Sequence, residues 1–511
     1  MTQSAAPPAA RRARWPLPVV GLLLAILGFA AMLDAWRLTA RTANPVIMAD
    51  AWYFIDVFVE PQVEGHLAWR DFFAKREATD HSQPLHKAWL AANVRWFGLD
   101  FRLDALVAFG GLVLCTLGLL AVGLAARRGR PGIGDVVVLA AIPLLMFSLN
   151  SHEIYDWPLV TQYYLGLPFV LLLFAACARD APGGATSVFA AALAALVVLD
   201  GGGVLAAIAA CAGLLLRSAA RRQWRVGGVR VGAIVAAFAA YKLAWALLMP
   251  PLPPSAAGGL FEALRGLPSD FASWWSMVAI AATSSLVHID HLRDWAHAPE
   301  AALRWVSVIG AAMLVLHAAF WVAARRTLRE GVAGAFACML MLYVYGMWAG
   351  IVLGRVPVFG VDYLWQARYV AFFQLAIVAL ALQWLASAPP AGGDGAPRRG
   401  RLALASGVVL TLLLGALQVP IAARTWARPQ YLPDHYARSA SALYCIAAHP
   451  GRADLVCPPE HAVCGWSPEV RDRLVAVLVR HQLNAFSPAF QSRHGLHPDP
   501  VVDRGCVPSD G

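Results

Sequence analysis

Residues 105–126, ALVAFGGLVLCTLGLLAVGLAA, run without a charged side chain up to Arg127. A stretch of this length reaches the roughly 20 residues that an α-helix needs to cross a hydrocarbon core. In lipid the backbone N–H and C=O groups find no water, so a lone apolar run of this kind must bond to itself as a helix. Residues 18–33 and 402–423 are written in the same Leu, Ala, Val and Gly. Of the 511 residues, 59% are hydrophobic and 14% charged, with a mean hydropathy of +0.58. That leaves too little polar surface for a soluble protein, and a polytopic membrane protein follows.

The net charge of +10 does not point to nucleic acid, because the arginines cluster in short connections between apolar runs. Arg11, Arg12 and Arg14 precede the first run, and Arg127, Arg128 and Arg130 follow the second. Arg217, Arg221, Arg222, Arg225 and Arg230 form a third group, Arg325, Arg326 and Arg329 a fourth, and Arg398, Arg399 and Arg401 a fifth. The positive-inside rule makes all five cytoplasmic. Spans are then expected near 16–36, 104–126, 134–150, 158–178, 185–199, 203–217, 231–249, 302–324, 331–352, 369–387 and 402–421, about eleven in all. Starting from a cytoplasmic N-terminus, parity puts the connections 37–103, 150–157, 200–202, 250–301 and 353–368 outside. The apolar stretch 278–289 is too short to cross and reads as re-entrant or interfacial. The first run reads as an uncleaved anchor, since it is long for a signal peptide and no small-x-small site precedes Arg37. A multi-pass bacterial inner-membrane protein is expected.

Two units follow: a membrane domain over 1–421 and an extracytoplasmic C-terminal cap over 422–511. Cys115, Cys177, Cys211 and Cys338 fall in spans, where a thiol is a small packing group. Cys445, Cys457, Cys464 and Cys506 fall in the cap, where an oxidising compartment favours two disulfides with three pairings open. SPEVRDRLVAVLVRHQL (467–483) predicts a cap helix, with Ser467 as N-cap and Pro468 at its first position.

The connection 37–103 is not written as a linker. In ADAWYFIDVFVEPQVEGHLAWRDFF, Trp52, Phe54, Ile55, Phe58 and Val59 recur at helical spacing among Asp50, Asp56, Glu60 and Glu64. That pattern predicts a helix at the membrane interface, aromatic side down. Residues 85–103 repeat the amphipathic pattern, and between the two lies TDHSQPLHK (79–87), with an acid, two histidines and a lysine.

A first span, a large outer loop with an early Asp, many further spans and an outer C-terminal part resemble the GT-C superfamily of membrane glycosyltransferases. The similarity covers nearly the whole chain in layout. In motif it rests on TDHSQPLHKAWLAANVRWFGLDFRLDAL, HEIYDWPLVTQYYLGLPF (152–169) and GRVPVFGVDYLWQARYVAFF (354–373). The first looks like the Glu-His-Arg triplet and apolar helix of bacterial proteins of this type, with Asp80 in place of Glu and Ser82 in place of Arg. The resemblance implies an all-α GT-C-like fold and transfer of a sugar from a polyprenyl-phosphate carrier to a glycan, lipid or protein acceptor in the cell envelope, with inversion. A divalent cation is compatible with that reaction, though no motif calls for one.

Such a reaction needs a carboxylate to take the acceptor's proton and cations to meet the departing phosphate. The resemblance points to Asp50 as the base, with Asp56 as the alternative; an N-cap or solvated acid is the plainer role for Asp50. Asp80 and His81 orient the loop, pair with cations or bind acceptor, or simply hydrogen-bond within it. His86 and Lys87 meet phosphate, or Lys87 snorkels. Glu153 and Asp156 open an outer helix, where the dipole already favours acids. Arg355, Arg368 and Tyr369 stand where lipid phosphates lie, the two arginines against the inside bias. HIDHLRDWAH (288–297) matches no ordinary zinc spacing, and a structural or acceptor-contacting role is expected there. Lys242, within a span, snorkels or pairs with an acid. Rival readings are a polysaccharide polymerase or ligase, a transporter, and a non-catalytic scaffold.

Overall fold

The computed structural model describes residues 17–75, 82–127, 131–158, 163–180, 184–199, 203–251, 259–387, 398–427, 432–452, 454–455 and 461–498, and every regular element among them is helical. The chain opens with α1 (Leu17–Thr42) and a long connection carrying α2 (Pro84–Phe97). It continues through α3 (Phe101–Ala125), α4 (Ile133–Met146), α5 (Tyr163–Ala178), α6 (Gly184–Leu199), α7 (Gly203–Arg221) and α8 (Trp224–Leu248). Two short helices, α9 (Phe271–Ser284) and α10 (Ile289–Ala296), precede α11 (Pro299–Glu330), α12 (Val332–Phe359), α13 (Ala367–Ser387) and α14 (Arg398–Ala427). The tail adds α15 (Leu432–Ala448), α16 (Pro468–Arg480) and α17 (Pro488–His494).

Among the described residues nine helices are long and apolar enough to span a membrane, while α5 and α6 are apolar but shorter. Helix α13 is central: 83% of its apolar window is buried, against 11% for α1 and 6% for α8, which face outward. Close approach depends on small residues, as expected where lipid is as apolar as leucine. A Cβ at Gly111 of α3 would overlap the Tyr164 carbonyl of α5.

Helix α9 has 14 residues, about 21 Å at 1.5 Å per residue, short of a hydrocarbon core of about 30 Å. Along those residues Trp275 reaches Ser307 at 3.3 Å, Thr283 donates to the Val306 carbonyl at 2.8 Å, and Ala279 lies against Gly310. Helix α9 thus packs along the stretch of α11 around residues 306–310.

The sidedness expected from parity appears as contacts. The turn at 148–151, the link 284–288 and the segment 360–368 all meet at one end of the bundle. At the other end Arg217 and Arg221 share Asp180, Arg221 donates to the Arg329 carbonyl at 3.0 Å, and Arg230 donates to the Arg179 carbonyl at 2.7 Å.

Hydrophobic burial divides into two clusters. One is the bundle; the other joins the first connection to the tail. Trp52, Ile55 and Phe58 pack in the same core as Leu443, Leu474 and Phe490. The Trp52 ring meets His461 edge-on at 6.2 Å, and Tyr53 meets Trp466 at 5.0 Å. The aromatic face expected to lie on the membrane is thus covered by the tail, because folded protein supplies closer packing for those rings than a headgroup layer. Asn484 rivets the joint: its amide donates to the carbonyls of Pro45 at 2.9 Å and Leu99 at 2.6 Å and accepts from Ile47 N at 3.3 Å. Loop and tail form one head.

The tail helix begins at Pro468 behind Ser467, as its sequence predicts, and ends at Arg480. Cys445 and Cys464 are disulfide-bonded, Cys115, Cys177, Cys211 and Cys338 are free thiols, and Cys457 and Cys506 lie outside the described residues. Helix α1 packs into the bundle, Gly28 against Pro143, and Trp426 of α14 donates to Asp34 at 2.9 Å.

Candidate active site

Gly360, with φ of 79°, breaks α12 and turns the chain into the short helical turn Val361–Trp365, after which α13 starts. The first N–H groups of a helix have no partner within it. Here Glu153, from the outer turn Glu153–Asp156, supplies one: its Oε2 accepts the Arg368 backbone N–H at 3.1 Å. The same oxygen lies 3.9 Å from the Arg368 guanidinium. Glu153 therefore caps α13 and anchors the first cation on it.

The Arg368 guanidinium donates to the Tyr363 hydroxyl at 2.8 Å and lies over three rings, Trp157 at 5.1 Å, Tyr369 at 5.4 Å and Tyr363 at 5.7 Å. Phe359 stacks on Tyr363 at 4.5 Å, holding that ring. An arginine kept planar between aromatic faces loses little freedom on meeting an anion, and its fork still offers donors that one carboxylate and one hydroxyl do not use. Arg355 is exposed near the end of α12.

Behind this cluster the buried amide of Asn150 donates to the Ser284 carbonyl at 3.2 Å and accepts from His288 N at 2.7 Å. His288 Nδ1 accepts from Asp290 N at 3.3 Å, so Nε2 carries the proton and donates to the Trp365 carbonyl. The His152 ring stands edge-on to His288 at 6.4 Å. Thr425 of α14 donates to the Leu149 carbonyl at 3.2 Å, and Asn44 N donates to the Asp156 carbonyl at 3.0 Å, joining the head to this floor. Among the described residues no three His, Cys, Asp or Glu side chains converge as metal ligands do.

Glu153, Arg368 and Tyr369 are brought together; Arg355 stands exposed on the preceding helix. The residues expected in the loop divide differently. Asp50 is exposed at the start of the helical stretch 51–63, where its carbonyl accepts from Tyr53 N at 3.1 Å. Asp56 sits on a widened π-helical turn, Ile55–Val59, and pairs with Arg473 of α16 at 2.7 Å. His86 is buried against Asp104 at 3.2 Å with Phe54 edge-on. Lys87 is buried and donates to the carbonyls of Asp71 at 2.9 Å and Ala74 at 2.7 Å, which pins the segment before α2. Asp80 and His81 lie outside the described residues. Ser82 donates to the Leu199 carbonyl, and Lys242 lies over the Phe238 ring at 5.6 Å.

Sequence reasoning passed over Trp157 and Tyr363, although both stand in the stretches that carry the resemblance. Tyr363 had a signal, an aromatic ring five positions before Arg368, whereas Trp157 is far from that arginine in sequence. It also passed over Asn150 and Asp104, whose polar side chains look like turn and helix-start residues until their distant partners are known.

No known family model matches the sequence, and no curated protein matches it. Among solved structures the chain is similar to the crystal structure of ArnT from Cupriavidus metallidurans bound to undecaprenyl phosphate, with 14% identity and a TM-score of 0.45 over 93% of this chain and 89% of that one. The same protein in the apo state matches at 14% identity and a TM-score of 0.44 over 95% and 90%. At this identity the likeness concerns layout alone.

Proposed function

We propose that the chain is a membrane glycosyltransferase that takes a sugar from a polyprenyl-phosphate carrier at the outer leaflet and hands it to a cell-envelope acceptor. The observation that carries this reading is Arg368, anchored by Glu153 and flanked by Trp157, Tyr363 and Tyr369 at the outer end of α13. A phosphate leaving group gains charge as its bond to the sugar breaks, and a fixed guanidinium stabilises that charge without reorganising. Arg355, exposed near the end of α12, is the proposed second cation. Aromatic faces beside a phosphate site also suit a sugar ring.

In the reaction the acceptor hydroxyl attacks the anomeric carbon, the carbon–oxygen bond to phosphate breaks, and polyprenyl phosphate departs. The hydroxyl proton passes to a carboxylate, and a single displacement inverts the carbon. Asp50 is the proposed base, with Asp56 as the alternative, because the resemblance puts the carboxylate early in the first long connection and Asp50 is exposed there. The arginine-rich end faces the cytoplasm in this reading, and the head faces outward.

The test is mass spectrometry of lipid that co-purifies with the full chain. Polyprenyl phosphate is expected with the wild type and is lost in Arg368→Gln, together with a fall in sugar transfer of roughly 10²–10³, the size seen when one transition-state donor is removed. A solute deep in the bundle with no such lipid would move the reading to transport. If Asp50→Asn leaves transfer intact in an inserted, folded protein, the assignment of the base is wrong.

A further inference from the structure

At the end of the bundle opposite Arg368, a cavity of about 900 Å³ opens between the last turns of α3, α5, α11 and α13 and the first turn of α12. That volume lies within the range of about 300–1,000 Å³ usual for ligand sites. The walls are apolar, among them Val122, Ala125, Ala175, Phe336 and Ala386, while Arg127, Arg179, Arg326 and Glu330 line the rim. Arg127 lies 3.0 Å from Asp135, and Arg326 lies 2.7 Å from Glu330. A guanidinium has five N–H donors, of which one carboxylate contact uses one or two, so a paired arginine still binds a second anion. Beside the rim, Arg217 and Arg221 share the single carboxylate of Asp180, and Arg230 spends its donors on the carbonyls of Cys177 and Arg179. The field at this mouth is positive.

We propose that this cavity is a binding site for one anionic phospholipid of the cytoplasmic leaflet. The headgroup phosphate would meet Arg179 and Arg326, and the start of an acyl chain would lie against the alanine and valine walls. A small soluble anion would leave those walls wet, and a zwitterionic lipid would bring its own ammonium beside the arginines; an anionic phospholipid, with phosphate and no cation, answers both. Basic pockets between transmembrane helices on the cytoplasmic side are known to take such headgroups. The site is at the far end of the same helices from Arg368, so it is separate from any donor site there. Occupancy would tie the ends of α3, α5, α11 and α12 together.

The full chain is reconstituted in nanodiscs of phosphatidylglycerol and phosphatidylcholine at equal mole fraction, and retained lipid is counted by native mass spectrometry. One phosphatidylglycerol per chain is expected to survive release. Its retention should fall roughly thirtyfold in the double variant Arg179→Gln, Arg326→Gln, the effect of losing two arginine contacts at a membrane surface. The control Arg325→Gln, which lies off the rim, should retain it. Val122→Trp fills the wall while keeping every charge and should expel the lipid. Equal retention of the two lipids, or no change in the double variant, overturns the proposal; retention in a folded Val122→Trp protein places the lipid on the outer surface and overturns the cavity.

Discussion

Asp104, buried at the start of α3, accepts from His86 at 3.2 Å, Trp89 Nε1 at 2.7 Å and Asn93 Nδ2 at 2.6 Å, three side chains of α2. One carboxylate thus fixes the angle between the loop helix and the first span beyond it. Asp104→Ala strands three donors and is expected to cost about 3 kcal/mol or more, because the partners stay buried without an acceptor. A drop of several degrees in the thermal midpoint in detergent would show it. Arg368→Lys keeps the charge but gives up the planar contacts with three rings, so transfer is expected to fall about tenfold or more, despite the conservative change. His86 and Lys87 were expected near phosphate; their partners are instead Asp104 and the backbone, and substitutions there should act on folding of the head before they act on turnover.

The head is built from two distant pieces of chain, and its seam has an apolar and an ionic part. Arg473 pairs with Asp56 and Glu60, and Arg480 pairs with Glu64 at 2.7 Å, all at partly exposed positions. Pairs of that kind contribute at most about 1 kcal/mol each, whereas truncating a buried tryptophan costs roughly 3–5 kcal/mol. Arg473→Ala should therefore leave loop and tail joined, and Trp52→Ala should expose both to protease. The ionic part has a pH signature. A hydrogen bond from His481, opposed by partial desolvation and helped by Arg480, holds the Glu64 carboxyl below its ordinary value of 4.5. A depressed carboxylate stabilises the fold above its unfolded pKa, and that contribution is lost as pH falls through the lowered folded value. Hydrogen-exchange protection factors at 60–66 and 476–482, corrected for the intrinsic pH dependence of exchange, are expected to fall below about pH 4.5. Reduction of the bonds at Cys445 and Cys464 should lower head stability by about 2–5 kcal/mol, as removal of native disulfides does in small extracytoplasmic domains.

At the scale of the whole molecule the bundle has a basic end and an outer end. A C-terminal alkaline phosphatase fusion is expected to be active and an N-terminal one inactive; the reverse would invert every assignment of leaflet. Much of this layout was legible because each apolar run is long, each arginine cluster is short, and the two alternate. The extents of α3, α6 and α13 fall within three residues of their expected bounds for that reason. The packing of α9 on α11 brings Gly310 against Ala279, a fit between residues about thirty positions apart that no local pattern encodes.

Helical content and a set of membrane-spanning runs follow from the sequence alone, because lipid forces each apolar run to satisfy its own backbone. The sequence also marked Glu153, Arg355 and Arg368 as outer charges near spans. Only the tertiary structure decided that Glu153 caps the helix bearing Arg368, that Trp157 and Tyr363 wall it, and that loop and tail share one core. Those outcomes turn on contacts between residues up to some four hundred positions apart, such as Ile47 with Asn484. Periodicity shows which face of an element is apolar; shape complementarity, seen only in the fold, selects what covers it.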